Sequence, residues 1–381
     1  MNRKHNMDDL WKTITALRHK LHKYPELSGQ EFQTKERLKS FICTNTHLKI
    51  TDKGTWFYAL YEPKISNGAS PIAFRADMDA LPMPETISLP YGSTKPNIAH
   101  KCGHDGHSAV LAAVAALLEQ DSAVRRPVYL IFQSAEETGR GGKPCADFVK
   151  ETDISEVYAF HNLSGYPENA VMVCDRLTQC ASKGLLVQFT GESAHAGTPE
   201  NGRNPASALG SMALYAETVN KKSSSCLCTV VSIQEGSRDF GISPGQGDIA
   251  FTLRAESDDA LNNMDLALRA QAEKLADKYG LTVAFEEFDP FPATVNHPRC
   301  AEKVRKAALE SGFSCVNMDQ PWRPSEDFGW YTKIRPGAMF YVGNGINWPM
   351  PHQPAYDFND HILHTAVAVF LKLAENEARK E

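Results

Sequence analysis

A strand that is apolar on both faces can only sit inside a stack of other layers, and this chain has several such runs. Residues 71–74, 128–132 and 157–160 are short, apolar and rich in β-branched and aromatic residues, which suits strands buried on both sides. Residues 55–61 read as a further strand. Between residues 71–74 and 128–132 lies SAVLAAVAALL, residues 108–118, a helix apolar nearly all the way round. Leu10, Ile14, Leu17 and Leu21 fall at helical spacing with charges between them, and a second helix is read over residues 31–42. Strands alternating with helices predict an α/β fold: a mostly parallel sheet with helices on both faces.

From about residue 183 the rhythm changes. Strand-like residues 185–189, helical 205–219, strand-like 229–233 and 248–254, helical 260–279 and strand-like 281–288 follow one another. That order, β-α-β-β-α-β, is the ferredoxin-like split pattern, and about 110 residues make a complete domain of that type. Beyond Pro290-Phe291-Pro292 a helix over 301–310, a strand over 338–342 and a helix over 361–377 resume the first rhythm. The expectation is an α/β domain in two pieces, residues 1–182 and 293–381, interrupted by an inserted α+β domain over 183–292.

A chain of 381 residues suits two domains at roughly 100–200 residues each. The net charge of -6, spread without a long like-charge run, leaves no footprint for nucleic acid or anionic lipid. No stretch approaches the roughly 18 uninterrupted apolar residues of a membrane span, and the first helix is amphipathic rather than a secretory signal. Nine cysteines, an odd number without a CxxC pair, read as reduced thiols in a cytoplasmic protein.

In an open α/β sheet, ligands bind beyond the carboxyl ends of the strands. Here those ends carry chemistry. Phe74 leads into Arg75-Ala76-Asp77-Met78-Asp79, the 128–133 run into Ala135-Glu136-Glu137, and the 157–160 run into His161. The buried helix is preceded by HKCGHDGH, residues 100–107, and the last strand leads through Gly343-Asn344-Gly345 to Pro351-His352. Carboxylate, imidazole and thiolate converging on one rim would repel one another if left alone. They are the ligands of zinc-like divalent ions, and a dinuclear centre would supply hydrolytic chemistry. Side chains of Glu136 and Glu137 diverge as the chain leaves its strand, so one can ligate while the other takes a proton.

The motifs LRHKLHKYPELSGQE (17–31), FRADMDALP (74–82), HKCGHDGHSA (100–109), LIFQSAEE (130–137), FHN (160–162), SAHAGTP (193–199), SEDF (325–328) and MPHQPAYDF (350–358) span nearly the whole chain. Through them the chain resembles the dinuclear-metal amidohydrolases that include aminoacylases, hippurate hydrolases and indole-acetyl-amino-acid hydrolases. The resemblance implies a zinc-peptidase-like α/β domain with an inserted lid or dimerisation domain. It implies two divalent metal ions, zinc or manganese with cobalt or nickel as alternatives, held by Cys102, His104, Glu137, His161 and His352. It implies Glu136 as general base, Asp79 as the carboxylate that orients the centre, His195 as the oxyanion-stabilising residue of the inserted domain, and Arg254 as the partner of a substrate carboxylate. The substrate would be a small-molecule N-acyl amino acid, and a homodimer through the inserted domain is compatible with the pattern.

Two departures fall where substrate is held. The family's Asn-x-x-Pro segment is Gly241-Ile242-Ser243-Pro244 here, and Glu200 stands where a second histidine often follows the proline. A dipeptidase or carboxypeptidase using the same centre, a non-catalytic binding module, and a serine hydrolase using Ser243 in Gly241-Ile242-Ser243-Pro244-Gly245 are the alternatives. Some residues have ordinary readings: His19 and His22 as surface imidazoles, Asp105 and His107 as a cap or support for the ligands, the SEDF segment as a helix cap or as support for the site, and Asn162-Leu163-Ser164 as a chance glycosylation match.

Overall fold

The structure, a computed structural model, describes residues 7–222, 225–318, 320–322 and 324–375. The chain forms two compact units: one of Met1–Thr178, Thr294–Pro321 and Asp327–Glu381, the other of Gln179–Ala293 and Trp322–Glu326.

The first unit is built on an eight-stranded sheet in the order Lys49–Asp52, Phe57–Tyr61, Val128–Gln133, Ile72–Asp77, Glu156–Ser164, Gly337–Gly345, Val171–Val173, Cys315–Asn317. The four central strands are mutually parallel. Phe57–Tyr61 adds antiparallel beside them, and the short outer strands Lys49–Asp52, Val171–Val173 and Cys315–Asn317, of which the first and last are the sheet's edges, were not anticipated, being too short to show a period. Alternation along the strands sends Phe74, Leu130, Phe160 and Phe340 to one face, where the helices Met7–Lys23, His104–Leu118, Pro298–Glu310 and Leu363–Ala374 cover them. Ala73, Ile131, Ala159 and Met339 face the other way, onto the helix Gly142–Lys150 and the short Gly329–Thr332 turn. The helix His104–Leu118 is buried along all of its length, as its all-round apolar sequence requires. The last helix, read over 361–377, runs Leu363–Ala374; residues 376–377 lie outside the described residues.

The second unit has a four-stranded antiparallel sheet in the order Cys226–Glu235, Gln246–Ala255, Ala181–Thr190, Thr282–Phe291. Helices Ala206–Lys222 and Asp258–Tyr279 pack on it. In chain order the elements run strand, helix, strand, strand, helix, strand, with the first strand in the interior of the sheet. Leu185, Val187, Phe189, Ile249, Phe251 and Leu253 supply its buried apolar side. Ser257 caps the second helix by accepting from the Ala260 amide at 3.2 Å, and the buried Lys183–Asp265 pair, 2.8 Å, ties that helix to the sheet. Among the described residues no helix is long and apolar enough to cross a membrane.

Phe370, on Leu363–Ala374, lies 4.6 Å from Phe74 and 5.2 Å from Phe340 between ring centroids. It anchors the helix layer to the strands whose ends carry the site. Phe370→Ala is expected to cost about 3–5 kcal/mol, read as a lowered midpoint in urea unfolding; an unchanged midpoint would contradict this packing.

Candidate metal centre

The strand order places the carboxyl ends of Val128–Gln133, Ile72–Asp77, Glu156–Ser164 and Gly337–Gly345 side by side. The chain leaves Ile72–Asp77 through helix His104–Leu118 to reach Val128–Gln133 on one flank, while Glu156–Ser164 lies on the other. Such a reversal opens a crevice at the strand ends, and helix His104–Leu118 starts into it. Its cap, Gly103, has φ 105°, and a Cβ there would fall 2.1 Å from Asn162 Oδ1, so only glycine brings the helix this close.

His104 is the hub. Its Nδ1 is 3.0 Å from Asp79 Oδ1 and 3.9 Å from Asp77 Oδ1; its Nε2 is 3.8 Å from Glu136 Oε2 and 3.7 Å from Glu137 Oε1. Asp79 also accepts from the Ser28 hydroxyl at 2.7 Å and the Glu137 amide at 3.0 Å. His161 donates from Nδ1 to the Asn162 carbonyl at 2.7 Å, which leaves the lone pair of Nε2 facing Cys102 Sγ at 3.4 Å. His352, more exposed and at φ 64°, points Nε2 at Glu137 Oε2 over 3.5 Å, and its amide is held by the Lys101 carbonyl at 2.7 Å.

Behind these residues runs a chain of buried supports. Asp327 accepts from Arg75 at 2.7 Å, from Gln133 at 2.8 Å and from the Gly142 amide at 2.7 Å. Arg75 in turn holds Asp77 at 2.7 Å, Asp77 holds His107 Nδ1 at 2.7 Å, and His107 Nε2 meets Asn162 Oδ1 at 2.8 Å. His107 is thus a support, as the sequence suggested. Asp327 does not cap the short helix that follows its own segment, Gly329–Thr332, which has no side-chain cap; it accepts instead from the first amide of the distant helix Gly142–Lys150 and holds Arg75.

One expectation is overturned. His22 is fully buried, not a surface imidazole: Nδ1 is 2.8 Å from Asp105 and Nε2 is 2.8 Å from Glu85. Arg18 is buried beside it, paired with Asp105 and Asp357, and the buried Lys101 joins Glu85 to the Tyr356 carbonyl. The missed signal was the i,i+4 row Leu10, Ile14, Arg18, His22, which continues the apolar stripe with charges. His19 is partly exposed, 2.7 Å from Asp360 and stacked on Tyr91.

His195 and Arg254 belong to the second unit. His195 is exposed on Ala194–His195, paired with Ile242–Ser243, and its Nδ1 accepts from the Gly197 amide at 3.0 Å. Arg254, on Gln246–Ala255, donates to the Ser325 hydroxyl at 2.8 Å. Ser243 accepts from Asn204 at 3.1 Å and leads into strand Gln246–Ala255, with no helix to build a nucleophile elbow. Asn162 is fully buried, which disposes of the glycosylation match.

The donor set fits divalent cations. His104 Nε2 and Glu137 Oε1 are buried without a hydrogen-bond partner and face each other over 3.7 Å. Cys102, His104 and His161 present ligand atoms within 4.8 Å of one another, and so do Cys102, Glu137 and His352, so the thiol is common to two ligand triads. With protons in place of a cation, burial and then the Glu137 and Glu136 charges push the Cys102 thiol well above its usual range. Burial would lower His104, but Asp77 and Asp79 outweigh it and raise it to about 10.

The model of peptidase family M20/M25/M40 matches residues 73–376. The chain is 28% identical to the N-acetylcysteine deacetylase of Bacillus subtilis (strain 168) over 369 residues, covering 95% of this chain and 96% of that one. It is 25% identical to the hippurate hydrolase of Campylobacter jejuni over 384 residues, 96% and 97% of the two chains. Among solved structures it is similar to a dinuclear metal binding peptidase of the M20 family from Bacillus subtilis, with a TM-score of 0.82 at 24% identity over 96% of this chain and 98% of that one, a likeness of fold.

Ligation requires a thiolate and a neutral imidazole, so metal uptake must expel the protons described above. Titrating zinc into metal-free protein at pH 7 is expected to release at least one proton, counted by calorimetry in two buffers of different ionisation enthalpy. Cys102→Ser is expected to lower both the proton count and the affinity, and uptake without proton release would contradict the assignment.

Proposed function

The chain belongs to peptidase family M20/M25/M40 and is a hydrolase acting on amides, and on that premise we propose that it is a metal-dependent amidohydrolase cleaving N-acyl amino acids to a carboxylate and a free amino acid. The observation that carries the reading is the pair of buried atoms without a hydrogen bond, His104 Nε2 and Glu137 Oε1, beside a thiol common to two ligand triads. Cys102, His104, Glu137, His161 and His352 would hold two divalent ions, zinc or manganese being best matched to imidazole and thiolate. Bound there, such ions polarise a carbonyl oxygen and acidify water.

Glu136 is the general base. Its Oε2 lies 3.8 Å from His104 Nε2, beside the proposed ligands. It takes a proton from the attacking water and delivers it to the leaving nitrogen as the amide carbon–nitrogen bond breaks. Asp79 accepts the Nδ1 proton of His104 and so keeps Nε2 turned to the crevice. His195 stabilises the oxyanion and Arg254 meets the substrate carboxylate. The two relatives, a deacetylase of N-acetylcysteine and a hydrolase of hippurate, support an N-acyl amino acid as substrate.

We also propose a homodimer through the second unit. Its strand Cys226–Glu235 is a sheet edge carrying exposed Leu227, Val231 and Ile233, the kind of edge that seeks another strand.

On a panel of N-acetyl and N-benzoyl amino acids, activity is expected to vanish on chelation and return with zinc or manganese. Glu136→Gln is expected to lower kcat by about 10²- to 10⁴-fold with metal content unchanged. Cleavage of dipeptides alone would replace the substrate class, and activity that survives chelation would remove the mechanism. Val231→Lys with Ile233→Lys is expected to turn a dimer into a monomer by light scattering; a wild type already monomeric would end the dimer proposal.

A further inference from the structure

The turn that carries Glu136 and Glu137 is strained. Ala135, just ahead of them, has φ 52°, a left-handed conformation that costs a residue with a side chain on the order of 1 kcal/mol or more. Two carboxylates grip this turn from below. Glu31 Oε1 accepts from the Ala135 amide at 2.7 Å, and Asp79 Oδ2 accepts from the Glu137 amide at 3.0 Å. The amides on either side of Glu136 are therefore both tied to buried anions. Glu31 stands at the start of helix Phe32–Asn45, about a hundred residues earlier in the chain, and is 3% exposed.

We propose that Glu31 is a positioning residue for the general base: by accepting from the Ala135 amide, it holds the strained turn in the one conformation that aims Glu136 into the crevice. Asp79 has a second task, since it also fixes His104, so losing it disturbs the ligands. Glu31 makes no hydrogen bond or ion pair with the proposed ligands; besides the Ala135 amide its carboxylate meets the backbone of its own loop at Gly29 and Glu31. Keeping an anion there is costly. Burial, and then the Asp79 charge, push the Glu31 carboxyl up to about 7, yet the side chain is closed off from water at this amide.

The inference rests on Glu136 as the base, and its test has an arm that needs no substrate. In metal-free protein, hydrogen exchange read by mass spectrometry on the segment 134–141 is expected to speed up about tenfold or more in Glu31→Ala and to stay near wild type in Glu31→Gln, whose amide oxygen still accepts. In zinc-loaded protein, Glu31→Ala is expected to keep two metal ions per chain and to change KM by less than about threefold. Its kcat is expected to drop about 10- to 100-fold, the range for a misplaced reacting group, and Glu31→Gln is expected to recover most of it. Should Glu31→Ala not fold, Glu31→Met, of similar length without an acceptor, is held to the same comparison. Exchange and kcat at wild-type levels in the acceptor-free variant would overturn the proposal, as would a Gln variant as impaired as Ala. If wild type leaves the N-acyl panel uncut, the substrate reading falls alone, and the exchange arm still decides the clamp.

Discussion

Oxygens of four carboxylates, Asp77, Asp79, Glu136 and Glu137, lie within 4 Å of the single imidazole of His104, in a part of the protein from which water is largely excluded. At an effective dielectric of about 20, one charge pair at 4 Å is worth about 4 kcal/mol, so one imidazolium cannot balance four anions. Much of the surrounding structure is arranged to make this crowding tolerable. Arg75 sits against Asp77. The amino-terminal end of helix His104–Leu118, with its partial positive charge, opens into the same crevice. His104 Nε2 and Glu137 Oε1 are still left without a hydrogen bond, and a divalent cation is the species that would satisfy both.

The supports come from far apart in the chain. Asp327, Arg75, Asp77, His107 and Asn162 form one continuous run of hydrogen bonds behind the proposed ligands. Such outer contacts fix ring orientation and tautomer, and their loss costs affinity as the loss of a ligand does. The same economy governs Asp79, whose two oxygens serve a histidine on one side and a backbone amide on the other.

Much of the fold was legible because the central strands are apolar on both faces and the helix at 108–118 is apolar all round; such segments have one place to go. Very short strands such as Val171–Val173 were not, since three residues carry no period. Among the site residues, those at strand ends could be read from position, because parallel strands must present their carboxyl ends together. His22 was misread because a charged residue on a helix is normally solvated, and its burial is decided by Asp105 and Glu85, which no local pattern links to it. Glu31 was visible only as part of a motif. Its task depends on the positive φ of Ala135, which alanine does not advertise.

By itself, then, the sequence determined the layered α/β architecture, the ferredoxin-like order of the second unit, and the rim to which thiol, imidazole and carboxylate groups are delivered. Hydrophobic periodicity is local and survives without knowledge of neighbours. The tertiary structure alone decided which partners each histidine nitrogen meets, which carboxylates are spent on backbone amides, and which charges are buried in pairs. Those outcomes depend on partners dozens to hundreds of residues away, and a hydrogen bond of about 3 Å is set by packing in three dimensions, not by spacing along the chain.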